Sequence, residues 1–236
     1  MNLKTTTKWL LVGTFALALA QSSRAQIHSE ASILGYDNLS TGATAGFSDY
    51  NTNNPVYGDS LTLAQSGVLD TLSLSLFNST SGGNTGSILT GNMVVKFYDN
   101  TTAYAGGPIT GTLLGSATLL WDFTSGGGLP AGYYSTSTFD LSALNISLGQ
   151  NILITQSFTE STGTSTRNGI VLFNNATTGS SPNTIYLKSG IYAEGLYTLT
   201  GNPGQIGYTI TLVPEPTSVA LAGLAAAALL IFRRRK

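Results

Sequence analysis

The chain has 236 residues, a formal net charge of −1, 9% charged residues, one histidine and no cysteine. The missing cysteines exclude a disulfide scaffold, thiolate catalysis and cysteine-ligated metal, and His28 alone cannot furnish a hydrolase triad or the usual zinc ligand sets. Seven of the ten cations sit in the two terminal segments, so residues 26–213 hold only Lys96, Arg167 and Lys188 against ten acids, a net of −7, which argues against nucleic acid as a ligand because phosphate binding needs clustered Lys and Arg.

Lys4 and Lys8 precede the twelve-residue apolar run Trp9 to Ala20, and small residues at spacing two follow. That order is a secretory signal peptide. Cleavage after Ala25, behind Ser23-Arg24-Ala25, is the favoured reading, with cleavage after Ala20 the alternative. The domain plan is then residues 1–25 as signal peptide, 26–212 as ectodomain and 213–236 as a C-terminal segment of different composition.

The ectodomain shows no sustained three-and-four apolar spacing, so helix is not expected there. What recurs is short apolar alternation bounded by Gly, Asn, Asp and Ser. Strands are expected at Ser32 to Tyr36, Asp59 to Ala64, Val68 to Phe77 and Asn92 to Tyr98, with Thr41 to Asn54 and Asn78 to Gly91 as loops. In Val68 to Phe77 the leucines Leu72, Leu74 and Leu76 point one way and Ser73 and Ser75 the other, which predicts one buried and one wet face. Thr112 to Trp121 follows as a strand pair, then a flexible break at Gly126-Gly127-Gly128-Leu129-Pro130. Further strands are expected at Tyr133 to Leu141, Asn151 to Phe158, Gly169 to Phe173, Thr184 to Lys188, Tyr192 to Leu199 and Ile206 to Leu212. Ten or eleven short strands with regular turn clusters indicate an all-β fold, an antiparallel β-sandwich of jelly-roll kind.

No Gly-x-Ser-x-Gly elbow is present. A glycosidase needs only two acids at the right separation, and Asp99, Asp122, Asp140, Glu160 and Glu194 are the candidates, each also readable as a turn former or wet-face residue. Calcium suits loop carboxylates and carbonyls, for which Asp37, Asp59 and Asp99 are the local choices. Trp121, Tyr104, Tyr133 and Tyr134 lie near turns and are candidates for stacking on sugar rings, although core packing is the commoner fate of a residue such as Trp121. Successive residues of a strand face opposite ways, so one of Tyr133 and Tyr134 is expected in solvent. With no assembled catalytic set, the expectation is a protein that is not an enzyme.

The C-terminal segment reads in three parts: Pro214-Glu215-Pro216, an uncharged run from Thr217 to Phe232, and Arg233, Arg234, Arg235 and Lys236. Two prolines flanking one residue make a stiff, extended joint. The run of sixteen residues makes a helix of roughly 24 Å, short of the roughly 30 Å hydrocarbon core, and the long basic arms make up part of the difference by snorkelling. A single transmembrane helix with its cations in the cytoplasm is therefore expected, which places the ectodomain outside.

This order of parts resembles the PEP-CTERM sorting signal of bacteria that make extracellular polysaccharide. The resemblance implies exosortase as partner, with Pro214, Glu215 and Pro216 read by that enzyme and the helix left behind in the inner membrane. The double address and the absence of an assembled catalytic set lead to the expectation of an exported surface or matrix protein with a structural or adhesive role, and the aromatics Trp121, Tyr133 and Tyr134 make a carbohydrate-binding module the alternative. Tyr36 to Asn100, running from Tyr-Asp-Asn through Gly-Asp-Ser-Leu-Thr-Leu to Val-Lys-Phe-Tyr-Asp-Asn, is similar to β-rich ectodomains that precede such signals, which bears on fold and not on chemistry.

Overall fold

Period-two patterning becomes strand wherever a second strand can take up the backbone groups, and that pairing accounts for nearly all regular structure in this computed structural model. The structure describes residues 31–48, 55–100, 107–165, 167–190, 192–198 and 204–215. The signal peptide, His28, Tyr104, Pro216, the Thr217 to Phe232 run and the Arg233 to Lys236 tail lie outside the described residues, as does the side chain of Glu160. By its contacts the chain divides into Ile33–Leu212 and a second unit of Met1–Ser32 with Val213–Lys236. The hydrophobic core lies within the first unit.

In chain order the strands are β1 Ile33–Asp37, β2 Ala43–Phe47, β3 Val56–Thr62, β4 Gly67–Asn78, β5 Ser87–Asp99, β6 Leu113–Asp122, β7 Leu129–Pro130 and β8 Tyr134–Asp140, followed by β9 Ser147–Leu148, β10 Asn151–Gly163, β11 Asn168–Phe173, β12 Ile185–Lys188, β13 Gly195–Tyr197, β14 Gln205–Ile206 and β15 Tyr208–Val213. They form two sheets. The first runs β1-β15-β4-β11-β14, with β2 on β11 and β8 and β9 on β4; the second runs β13-β12-β3-β10-β5-β6, with β7 on β5. Neighbours such as β1 and β15, β3 and β10, and β4 and β8 pair antiparallel. The inner faces share one core, in which Tyr36, Leu72, Leu74, Leu76, Tyr208 and Ile210 of the first sheet meet Tyr57, Met93, Val95, Phe97, Ile152 and Ile154 of the second. Ring contacts cross between the layers, Phe47 on Tyr57 at 6.0 Å and Trp121 on Phe139 at 5.4 Å. Two sheets around one such layer of side chains make the expected β-sandwich.

Several local expectations are corrected. Ala43–Phe47 lies in the stretch read as a loop, yet it is strand β2, paired with β11 from Ile170↔Phe47 to Phe173↔Ala43. Its small residues carry little propensity, and the partner supplies the reason for extension. Gly46 has a packing role as well, since a Cβ there would come within 2.5 Å of the Phe77 ring. Leu113–Asp122 is one strand rather than two, β5 begins earlier at Ser87, and the glycine-rich break ends in β7, paired with β5 at Ser87↔Pro130 and Ile88↔Leu129. The serine face of β4 is not wet: Ser73 and Ser75 are buried, for a reason that belongs to the site.

Candidate functional site

Three places concentrate polar or exposed aromatic groups: the outer face of the first sheet, the interior behind one end of the sandwich, and the joint at Pro214. On the outer face, alternation sends Tyr134, Thr136 and Thr138 of β8 to the same side as Phe77, Ser75 and Ser73 of β4, opposite which they lie in register. Ser75 and Thr136 hydroxyls meet at 2.7 Å, Ser73 and Thr138 at 2.7 Å, and Thr71 and Thr211 at 2.7 Å. Each hydroxyl both donates and accepts, so the pairs satisfy one another and the serines can be buried under exposed threonines without penalty. The ladder ends at Asp70, which accepts from the Thr211 hydroxyl at 3.2 Å, and at Asp37, which accepts from Thr209 at 2.6 Å.

Beside the ladder stand the predicted tyrosines. Tyr133 and Tyr134 are 64% and 47% exposed, so both face solvent, where alternation alone called for one. Tyr133 precedes the strand, and the pairing that fixes sidedness begins at Tyr134. Tyr134 meets Phe173 edge-on, with ring centroids 6.3 Å apart. Phe173 in turn lies over Gly207, where a Cβ would stand 2.3 Å from its ring. Trp121 does not join them: it is 2% exposed, held between Phe123 and Phe139. It points inward from β6 with Ala117 and Leu119, because its neighbours Leu120 and Asp122 take the solvent side.

The interior cluster centres on Asp59, which faces the core from β3 opposite Ile154 and is fully buried. Its carboxyl accepts from the Ser181 hydroxyl at 2.6 Å and the Ile206 amide at 3.2 Å. Burial raises its proton affinity well above the ordinary carboxylate range, and those hydrogen bonds offset it only in part. Tyr36 and Tyr208 are pushed up in the same way, by burial first and then by Asp59. Tyr36 donates to Gln205 at 3.0 Å, and Gln205 donates to the Ser181 carbonyl at 2.7 Å. Ser181 and Gln205 also line an open groove of about 320 Å³ with Asn175, Asn183 and Ser180. A second groove shares Asn175 and Asn183 and adds Thr41 and Asn174. Sequence reading missed this cluster, since the residues come from four separated segments; the one available signal was an acid, Asp59, at an inward position of an alternating strand.

The remaining acids are committed locally. Asp37 accepts from Ser40, Thr177 and Thr209 hydroxyls; burial raises its proton affinity, but these hydrogen bonds outweigh it and hold the carboxyl below its usual range. Among the described residues no three acids or histidines stand together as a metal site, and Asp99 joins no such group. Asp122 accepts from the amide and hydroxyl of Thr124, and Asp140 from those of Ser142, both as turn formers. Glu194 pairs with Lys188 at 2.8 Å and accepts from Tyr186 at 2.7 Å and the Ile109 amide at 3.2 Å.

After β15 the backbone leaves regular structure at Pro214 and Glu215, and Glu215 is exposed, as a joint offered to an enzyme requires. Among the described residues no helix is long and apolar enough to cross a membrane. The segment defines the class of the protein: an exported chain with a C-terminal processing signal. Residues 212–236 match the PEP-CTERM protein-sorting motif. The chain thus carries a signal handled by exosortase and is anchored in the membrane before processing. No curated protein and no solved structure matches it.

Proposed function

We propose that this is a non-enzymatic surface or matrix protein, exported behind the signal peptide of residues 1–25. In this reading the Thr217 to Phe232 helix holds it in the inner membrane, exosortase reads Pro214, Glu215 and Pro216, and a jelly-roll sandwich is released to a structural or adhesive role in extracellular polysaccharide. The observation that carries the reading is the sorting motif at residues 212–236, which begins in the last two residues of β15. The local commitment of Asp122, Asp140 and Glu194, three of the five acids considered for a glycosidase, supports the non-enzymatic part, because that chemistry needs two carboxyls acting on one bond. No cofactor enters the reading.

The test is expression in a bacterium that carries an exosortase, with mass spectrometry of the mature protein and fractionation of the culture. The wild-type protein is expected in the polysaccharide fraction without Arg233 to Lys236. A variant with Pro214, Glu215 and Pro216 all changed to alanine is expected to stay in the inner membrane with that tail intact. Export of wild-type protein that keeps the tail on every molecule would overturn the processing route.

A further inference from the structure

From the outer face of the first sheet we infer a binding site for a neutral polysaccharide, with Tyr134 as the ring platform and the exposed Thr136 and Thr138 hydroxyls as the polar track beside it. The inference rests on the proposed function and deepens it, by naming the surface and the ligand class.

Four observations converge. First, a large aromatic is 47% exposed on a strand whose next outward residues, Thr136 and Thr138, are small and hydroxylated. Exposing a tyrosine forgoes burial of its apolar ring, and a pyranose offers that ring a face of C–H groups. Second, the ring is fixed: Tyr134 is braced by Phe173, which is seated over Gly207, so little side-chain freedom is left to lose on binding. Third, the exposed Thr136 and Thr138 hydroxyls are already oriented by the buried Ser75 and Ser73 at 2.7 Å, and each retains acceptor capacity for a sugar hydroxyl. From Tyr134 to Asp140 the track runs about 20 Å along β8, room for several sugar units in a row.

Fourth, the charge at the borders selects the ligand. Asp140, opposite Thr71 in register, and Asp70 stand together at the end away from Tyr134. An anionic chain would be repelled and a neutral one would not. The grooves around Asn175 and Asn183 are the rival location on the same domain. They lack an exposed aromatic, and the Asn183 amide oxygen is already used by the Gly204 amide at 3.1 Å.

The experiment uses the full-length protein in detergent micelles, with dextran, soluble cellulose oligomers and chitin oligomers as neutral probes and alginate as the anionic control. Binding is read by affinity electrophoresis, and thermal melting confirms that each variant is folded. At least one neutral probe is expected to bind and alginate is not. Tyr134→Ala is expected to weaken that binding at least tenfold, and Thr138→Lys, which fills the track from an exposed position, to weaken it comparably. Leu120→Lys, on the outer face of the second sheet, is expected to leave it unchanged. Binding that survives Tyr134→Ala and Thr138→Lys together, binding abolished by Asn183→Ala alone, a preference for alginate, or no binding to any probe would overturn the proposal. Those failures are distinct from failure of the sorting route, which is read from the mature C-terminus and the cell fraction.

Discussion

The two sheets treat their outer faces in opposite ways. On the first sheet Thr71, Ser73 and Ser75 of β4 pair with Thr211 of β15 and with Thr138 and Thr136 of β8, and this stretch of the face needs no cover. On the second sheet the outward residues Leu153, Thr155 and Tyr186 of β10 and β12 are buried to within a few per cent of full burial. Glu194 there gathers the Tyr186 hydroxyl, the Ile109 amide and Lys188, so chain from beyond the sheet is drawn onto that face. A self-satisfied polar layer can stay open to a ligand, whereas an apolar one must be roofed by its own chain.

The contrast predicts unequal costs for the same truncation. Tyr186→Ala, on the roofed face, removes a buried ring and its bond to Glu194, and is expected to lose about 3–5 kcal/mol in urea unfolding. Tyr134→Ala, on the open face, is expected to change stability by no more than about 0.5–1 kcal/mol while it removes polysaccharide binding. Equal losses at the two sites would erase the distinction.

Between the faces, Asp59 sets a pH dependence of its own sign. Its folded value lies above the unfolded value of 3.8, so its contribution is complete at lower pH, where both states hold the proton. As pH rises past the unfolded value, the unfolded chain alone loses its proton and stability falls until the folded value is reached. Asp59→Asn is therefore expected to flatten the decline in unfolding midpoint from about pH 4 upward; an unchanged decline would assign it to other groups.

Asp37, at the border of the open face, works the other way. Its folded value is lowered, so its contribution is present above the unfolded value and lost as pH falls through the folded one. The difference in stability between wild type and Asp37→Asn is expected to shrink as pH drops from 5 to 2. The smallest effect is reserved for the roof's ion pair: Lys188 is largely exposed, with 56% of its side-chain surface open, so Lys188→Met is expected to cost less than about 1 kcal/mol by the same unfolding assay.

Much of this was legible in the chain because strand alternation is a local property. The inward row Ile206, Tyr208, Ile210 and Leu212 is buried as its spacing requires, although Gly207 parts it into β14 and β15. The row Met93, Val95 and Phe97 is likewise fully buried. What alternation could not give is the identity of a neighbour. Ser73 and Ser75 look like wet-face residues until Thr136 and Thr138, more than sixty positions later, are laid beside them. Trp121 looks like a turn-side aromatic until Phe139 of the opposite sheet closes on it. Asp59 looks like a strand-end calcium candidate until Ser181 and Ile206 surround it.

By itself, then, the sequence determined the β class, the negative balance of the ectodomain and the sorting signal at its C-terminus, because composition, period and a linear motif are read along the chain. Tertiary structure decided which polar groups are spent on the fold and which remain for a partner. That choice depends on pairings between residues up to about 170 positions apart, such as Tyr36 with Gln205, and no local pattern encodes them.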